Sequence, residues 1–193
     1  MKISKTMFAA AAGILVSGAA FAQQGTVQRD VNQQSRIEQG LQSGQLTTRE
    51  ASKLELEQSR IERDQARALR DGTLTPAEKA RLAREQDRAS RDIYRESHDA
   101  QTGNPGSASS QRMQADVQRN LDQQKRIEQG VSSGQLTNRE AARLESGQAR
   151  DTRLEARAGA DGRVGAGEQR RIQRTEDRQS RKIYREKHDE QQR

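Results

Sequence analysis

Each half of the chain carries one histidine, and both stand in the same company: Arg91, Tyr94, His98 and Asp99 recur as Arg181, Tyr184, His188 and Asp189. Tyrosine and histidine four residues apart share one face of a helix, where an imidazole beside a carboxylate could ligate a metal or an anion. One His and one Asp per half fall short of the three or four ligands of a good site. The set is therefore read as a repeated surface feature in which an amphipathic tyrosine closes a helix bundle. If an ion is held at all, Asp71, Glu78, His98 and His188 are the candidates, and no metal or other cofactor is expected. Catalysis has less to work with. The chain has no cysteine, no phosphate-binding glycine loop and no histidine beside a plausible nucleophile and orienting acid. Glu50, Glu57 and Glu78 alternate with arginines and read as helix caps or solvated ion pairs. No enzyme is expected.

The elements that position these residues follow from one short motif. Ser43-Gly44-Gln45-Leu46-Thr47 followed by Glu50 matches Asp71-Gly72-Thr73-Leu74-Thr75 followed by Glu78, and returns as Ser133-Gly134-Gln135-Leu136-Thr137 followed by Glu140. Each Thr/Glu pair fits a capping box, in which the threonine oxygen takes an orphan N–H and the glutamate reaches back to the cap. Pro76 at the first helical position reinforces the second box. The turn glycines Gly44, Gly72, Gly134 and Gly162 suit a preceding helix that ends in a left-handed residue. Three helices are expected, at about 27–42, 48–70 and 76–97, with the same pattern 90 residues on. Ala51, Leu54, Gln58, Ile61, Gln65 and Ala68 form one stripe on the second helix, and Leu82, Gln86, Ala89, Ile93 and Ser97 one on the third.

The offset of 90 is general. It aligns 27–101 with 117–191 without a gap, and 42 of these 75 pairs are identical. Tandem duplication is thus the organising fact of the chain. The expected units are repeat 1 at 27–100, a flexible Gly/Ser/Pro linker at 101–116, and repeat 2 at 117–190. The fold class expected is all-α, two tandem copies of a roughly 75-residue three-helix unit, marginally stable or partly disordered. Only 22 of residues 23–193 are Leu, Ile, Val or Phe, a composition close to that of disordered chains. Repeat 2 should be the looser, because Leu69, Thr75 and Ala77 become Gly159, Gly165 and Gly167.

Residues 1–22 have the form of a signal peptide: Lys2 and Lys5, an apolar run from Met7 to Val16, then Ala20-Phe21-Ala22. Cleavage after Ala22 would leave 33 basic against 28 acidic side chains, net +5, in the periplasm or secreted. The absence of cysteine suits such an oxidising compartment, and no transmembrane segment is expected in the mature chain.

Two resemblances follow from the repeated motif. With Gly44 or Gly72 at position six, Leu46 or Leu74 falls at position eight and Glu50 or Glu78 at position twelve, so the chain resembles paired EF-hands in the exit half of the loop. Positions one and three are Gln39 and Leu41, Arg67 and Leu69, Gln129 and Val131, and Arg157 and Gly159, none of them an acidic ligand. The resemblance implies structural kinship with weak or no calcium binding, and Leu46 and Leu74 meeting across two adjacent turns. Leu46-Thr47-x-x-Glu50, Leu74-Thr75-x-x-Glu78 and Leu136-Thr137-x-x-Glu140 also resemble the Leu-Thr-x-x-Gln signatures of the Spy/CpxP group of periplasmic stress chaperones. That resemblance implies a cationic, helical, ATP-independent binder of non-native proteins.

The formal charge of +7 and a pI of 10.2 suit contact with polyanions. Acidic residues interleave with basic ones along the helices and tyrosines supply no stacking platform, so nucleic acid is not the expected partner. The reading is a non-enzymatic exported binding protein of the envelope-stress or protein-interaction type. A degenerate EF-hand-like structural protein and a binder of anionic envelope polymer or lipid are the alternatives. Protein clients or envelope components are the partners these imply.

Overall fold

Thr47, Thr75 and Thr137 each accept a backbone N–H three residues on, at 3.2, 3.3 and 3.3 Å, and Glu50, Glu78 and Glu140 return the bond to the cap N–H. These boxes start three of the helices in the computed structural model, which describes residues 18–189, with side chains from residue 25. Among the described residues the chain is all-helical, with α1 Gly18–Ser43, α2 Thr48–Ala68, α3 Pro76–Glu96, α4 Ala108–Ser132, α5 Asn138–Ala158 and α6 Ala166–Lys187. Most of the expected signal segment lies outside the described residues. No described helix is long and apolar enough to cross a membrane.

The α1–α2 turn shows why glycine is needed there. Gly44 adopts φ 76°, and the Leu46 N–H then donates back to the Gly40 carbonyl at 2.9 Å. The Leu46 side chain folds so closely over Gly40 that a β-carbon there would lie 2.7 Å from it. Gly134, Gly130 and Leu136 repeat this arrangement.

The two repeats do not stand apart as tandem units; they interlock. α2 lies antiparallel on α5, and α1 antiparallel on α4, while α3 covers α1 and α2 and α6 covers α4 and α5. Arg49 at the start of α2 donates to the Asp161 carbonyl after α5 at 2.9 Å, and Arg139 donates to the Asp71 carbonyl at 3.4 Å. Both members of these bonds are related by the offset of 90, which is the mark of an approximate two-fold axis between the repeats. Small residues make the α2–α5 approach close: Ser52 and Ser59 on one helix, Ala142, Ala149 and Ala156 on the other, all buried.

Each apolar cluster is accordingly built by both repeats. Ile37, Leu41, Leu46, Leu54 and Ile93 pack with Met113, Val117 and Val164, and at the other end Val27 joins Ile127, Val131, Leu136, Leu144 and Ile183. Leu46 and Leu74 do not meet, because their turns lie at opposite ends of α2, about 30 Å apart for 21 residues. Leu46 instead shares its cluster with Val164, the repeat-2 counterpart of Leu74.

The flexible-linker assignment is corrected in the same way. Residues 108–116 form the first turns of α4, capped by Ser107, which accepts from the Ser110 N–H at 3.1 Å. Gly103 donates to the Gly44 carbonyl at 2.8 Å and lies flat against the Leu46 backbone. Gly159, read as loosening repeat 2, lets the Ser52 side chain approach the α5 terminus closely, so the missing side chain makes room for a contact.

Candidate functional site

Arginines line each of the two antiparallel central helices. On α2 these are Arg63 and Arg67, with Arg70 in the turn just past its end, and on α5 they are Arg139, Arg143 and Arg150. The small side chains Ala66, Ala142 and Ser146 floor the groove between the rows, and Lys182 of α6 closes one side. The groove has a volume of about 560 Å³, and seven of its ten lining residues are cationic and none acidic. It continues through Arg150 and Lys182 into a second groove of about 520 Å³, which adds Arg153, Arg157 and Arg178. The acid in that second groove is Asp151, whose burial pushes its carboxyl up to about 6, against the pull of Arg150, Arg178 and Lys182.

A contrasting groove between α2 and α3 shows what charge compensation looks like in this protein. There Arg60, Arg81, Arg84 and Arg88 are interleaved with Glu57, Asp64 and Glu85, and Arg81 pairs with Asp64 at 2.7 Å and with Glu85 at 2.9 Å. Divergence between the repeats contributes to the imbalance on the other face: Arg70 and Lys182 stand where the offset would place Ala160 and Asp92. A groove lined by one sign of charge raises the local concentration of the opposite sign, and guanidinium forks match phosphate and carboxylate oxygens in pairs. The arrangement can hold a row of anions.

The residues singled out from the sequence lie elsewhere. Thr47, Glu50, Thr75, Glu78, Thr137 and Glu140 are engaged in caps, and Gly44, Gly72, Gly134 and Gly162 all adopt positive φ in turns. Tyr94 and Tyr184 are about 60% exposed (60% and 62%), and each stacks on its histidine, with ring centroids 4.1 and 4.2 Å apart. His98 donates through Nδ1 to the Tyr94 carbonyl at 2.8 Å, and His188 to that of Tyr184 at 2.7 Å. Asp71 accepts from Thr73 N–H at 2.9 Å in a local turn, its carboxyl held low by that bond. Asp71, Glu78, His98 and His188 do not form a ligand group. Among the described residues, the acidic groups close enough to share an ion are Glu50 with Glu96 and Asp99, and Glu140 with Glu186 and Asp189. Arg91 and Arg181 remain on the exposed faces of α3 and α6.

The sequence reading missed a polar interior between the two apolar clusters. Asp30 takes amide hydrogens from Gln65 at 2.6 Å and Gln86 at 2.8 Å, Gln33 bonds the Gln86 carbonyl at 2.6 Å, and Gln34 donates to Glu55 at 3.1 Å. In repeat 2 Asn120 donates to Glu155 at 2.6 Å, and across the repeats Gln124 and Thr152 both donate to Glu62, at 2.9 and 3.3 Å. No lysine or arginine is buried among the described residues. Burial therefore pushes these carboxyls up, Asp116 to about 7, Asp30 to about 7, Glu55 to about 8 and Glu176 to about 8, and Glu62, Glu145 and Glu155 well above the ordinary glutamate range. The available signal was a second stripe on α2, Thr48, Ser52, Glu55, Ser59 and Glu62, beside the one recognised.

No protein-family model, curated protein or solved structure matches the chain.

Proposed function

We propose that this chain is a non-enzymatic, exported binding protein whose α2–α5 groove takes an anionic polymer, holding its phosphate or carboxylate groups on two rows of arginine. The observation that carries this is the groove with seven cations and no acid among its ten lining residues. A binder of non-native protein clients needs an exposed apolar face instead. The large apolar side chains exposed among the described residues are Tyr94 and Tyr184, and both are stacked on histidine. Export rests on the signal-like residues 1–22 and places the polymer in the envelope or outside it.

The test is equilibrium binding of the purified protein to polyphosphate and to lipopolysaccharide micelles over a series of salt concentrations. Expected is saturable binding that weakens steadily with salt, since the attraction is between exposed charges. Reversing charge at Arg70→Glu with Arg143→Glu should weaken it at least about tenfold, because two attractive groups become repulsive ones. The same reversal at Arg84→Glu with Arg88→Glu, in the compensated groove, should change it by about twofold at most. No saturable binding at low salt, or equal losses in both double variants, would reject the groove as the site.

A further inference from the structure

We propose that the chain binds two calcium ions, one at Glu50, Glu96 and Asp99 and one at Glu140, Glu186 and Asp189, at opposite ends of the bundle. In each trio one oxygen from every carboxylate lies within 4.8 Å of one from each of the other two. Carboxylate oxygens gathered this closely can converge on one calcium ion at roughly 2.3–2.6 Å after small side-chain adjustments, with water completing its shell. A group of several carboxylates suits calcium, which takes many oxygen ligands in flexible geometry, better than magnesium, which gives up its waters reluctantly. The two trios are related residue by residue through the offset of 90. The cluster is thus a property of the repeated unit and not of one surface.

A second feature of each trio points to an ion. Glu50 and Glu140 are each only 1% exposed. Their Oε2 atoms are spent on the caps, accepting from Thr47 and Thr137, while their Oε1 atoms are buried with no hydrogen-bond partner. Buried carboxylate oxygens almost always have a donor or a cation. The nearby arginines do not supply it: Arg95 reaches Glu96 at 3.5 Å and Arg143 reaches Glu186 at 3.8 Å, both on the outer carboxylates. Asp99 is oriented by accepting from the Gln101 N–H at 2.8 Å.

The helix ends supply a further electrostatic reason. Glu96 closes α3 and Asp99 follows it, and Glu186 and Asp189 stand likewise at the end of α6. Acids at a helix C-terminus face the negative end of the macrodipole, a placement that costs stability unless a cation offsets it. An ion at each trio would tie the first turn of α2 to the last of α3, and that of α5 to that of α6. The ligand set differs from an EF-hand loop, since two of its three carboxylates come from the following helix end.

The experiment is calorimetric titration of the EDTA-treated protein with calcium, followed by thermal melts with and without the ion. Two sites per chain are expected, with weaker binding of magnesium. Glu96→Gln with Asp99→Asn should leave one site, Glu186→Gln with Asp189→Asn should leave the other, and the fourfold variant none. These substitutions keep Glu50 and Glu140 in their caps, so the ion-free melting temperature should stay the same or rise as repulsion is relieved. The calcium-dependent rise in melting temperature should disappear in the fourfold variant. Absence of a saturable signal up to roughly 10 mM calcium, beyond the range of weak extracellular modules, would overturn the proposal. So would a stoichiometry that these variants leave unchanged. Neither outcome depends on the arginine groove.

Discussion

At the scale of single residues, burial favours the neutral form of the interior carboxyls. Glu62 is 1% exposed and takes two donors on Oε1, while its Oε2 has none. Its carboxyl is pushed up by burial first and then by the facing Glu145 and Asp30. Glutamine has the same shape and no charge to desolvate. Glu62→Gln should therefore stabilise the fold at alkaline pH, by an amount on the order of 1 kcal/mol, and do so less at acid pH, where burial favours the protonated carboxyl. Melts of both proteins across this range check it; equal shifts at the two pH values would mean that the side chain is not titrating. The same logic explains how the repeats diverged without unfolding. Asp30 with Gln65 and Gln86 became Asn120 with Glu155 and Glu176, so the amides and the protonated acids exchanged places within one buried set.

At the scale of elements, the decisive segment is the connection between α3 and α4. A flexible tether would accept alanine at any glycine. Here a β-carbon on Gly103 would collide with the Leu46 backbone carbonyl, whereas one on Gly106 would make an ordinary contact with Asn104 at 3.6 Å. Gly103→Ala should cost about 1–3 kcal/mol, since backbone must move to admit it, while Gly106→Ala should leave stability nearly unchanged. Chemical denaturation of the two variants separates these cases. α2, α3 and α5 start at Thr/Glu capping boxes, and a positive-φ glycine follows the ends of α1, α2, α4 and α5, which is why short local motifs located those boundaries.

The whole molecule is one interlocked body, and its raised carboxyls should make stability fall as pH rises. A carboxyl whose folded-state pKa is raised binds its proton more tightly in the native than in the unfolded state. Its stabilising contribution is present in full below the ordinary carboxylate range and is lost as pH passes the folded value. Asp151 at about 6, Asp116 at about 7 and Glu176 at about 8 put this loss between about pH 4 and pH 8. Melting temperature should accordingly fall from about pH 5 to about pH 9, and a maximum at alkaline pH would contradict the neutral interior. The shared clusters lead to a second expectation. Residues 23–106 lack Met113, Val117 and Val164, and residues 107–193 lack Val27, so neither half has a complete core. Each half alone should be largely unfolded by circular dichroism, and mixing them should restore helix. Independent cooperative melts of the separate halves would show that the repeats fold without each other.

The sequence by itself determined the helices, their caps and turns, and the duplication, because these depend on residues within a few positions of one another or on simple self-comparison. Thr47 with Glu50, or Gly44 before Leu46, needs no distant partner to act. What lies opposite a helix is a different kind of fact. That α2 faces α5, that Leu46 packs with Val164, that Glu62 is buried and that Arg70 lines a groove with Arg143 all depend on how the two repeats dock. Glutamate reads as solvent-facing in any one sequence, since an isolated carboxylate is costly to bury. Only the tertiary structure supplied the amide donors and the second repeat that make a buried glutamate tolerable here, and only it decided which arginines gather in one groove.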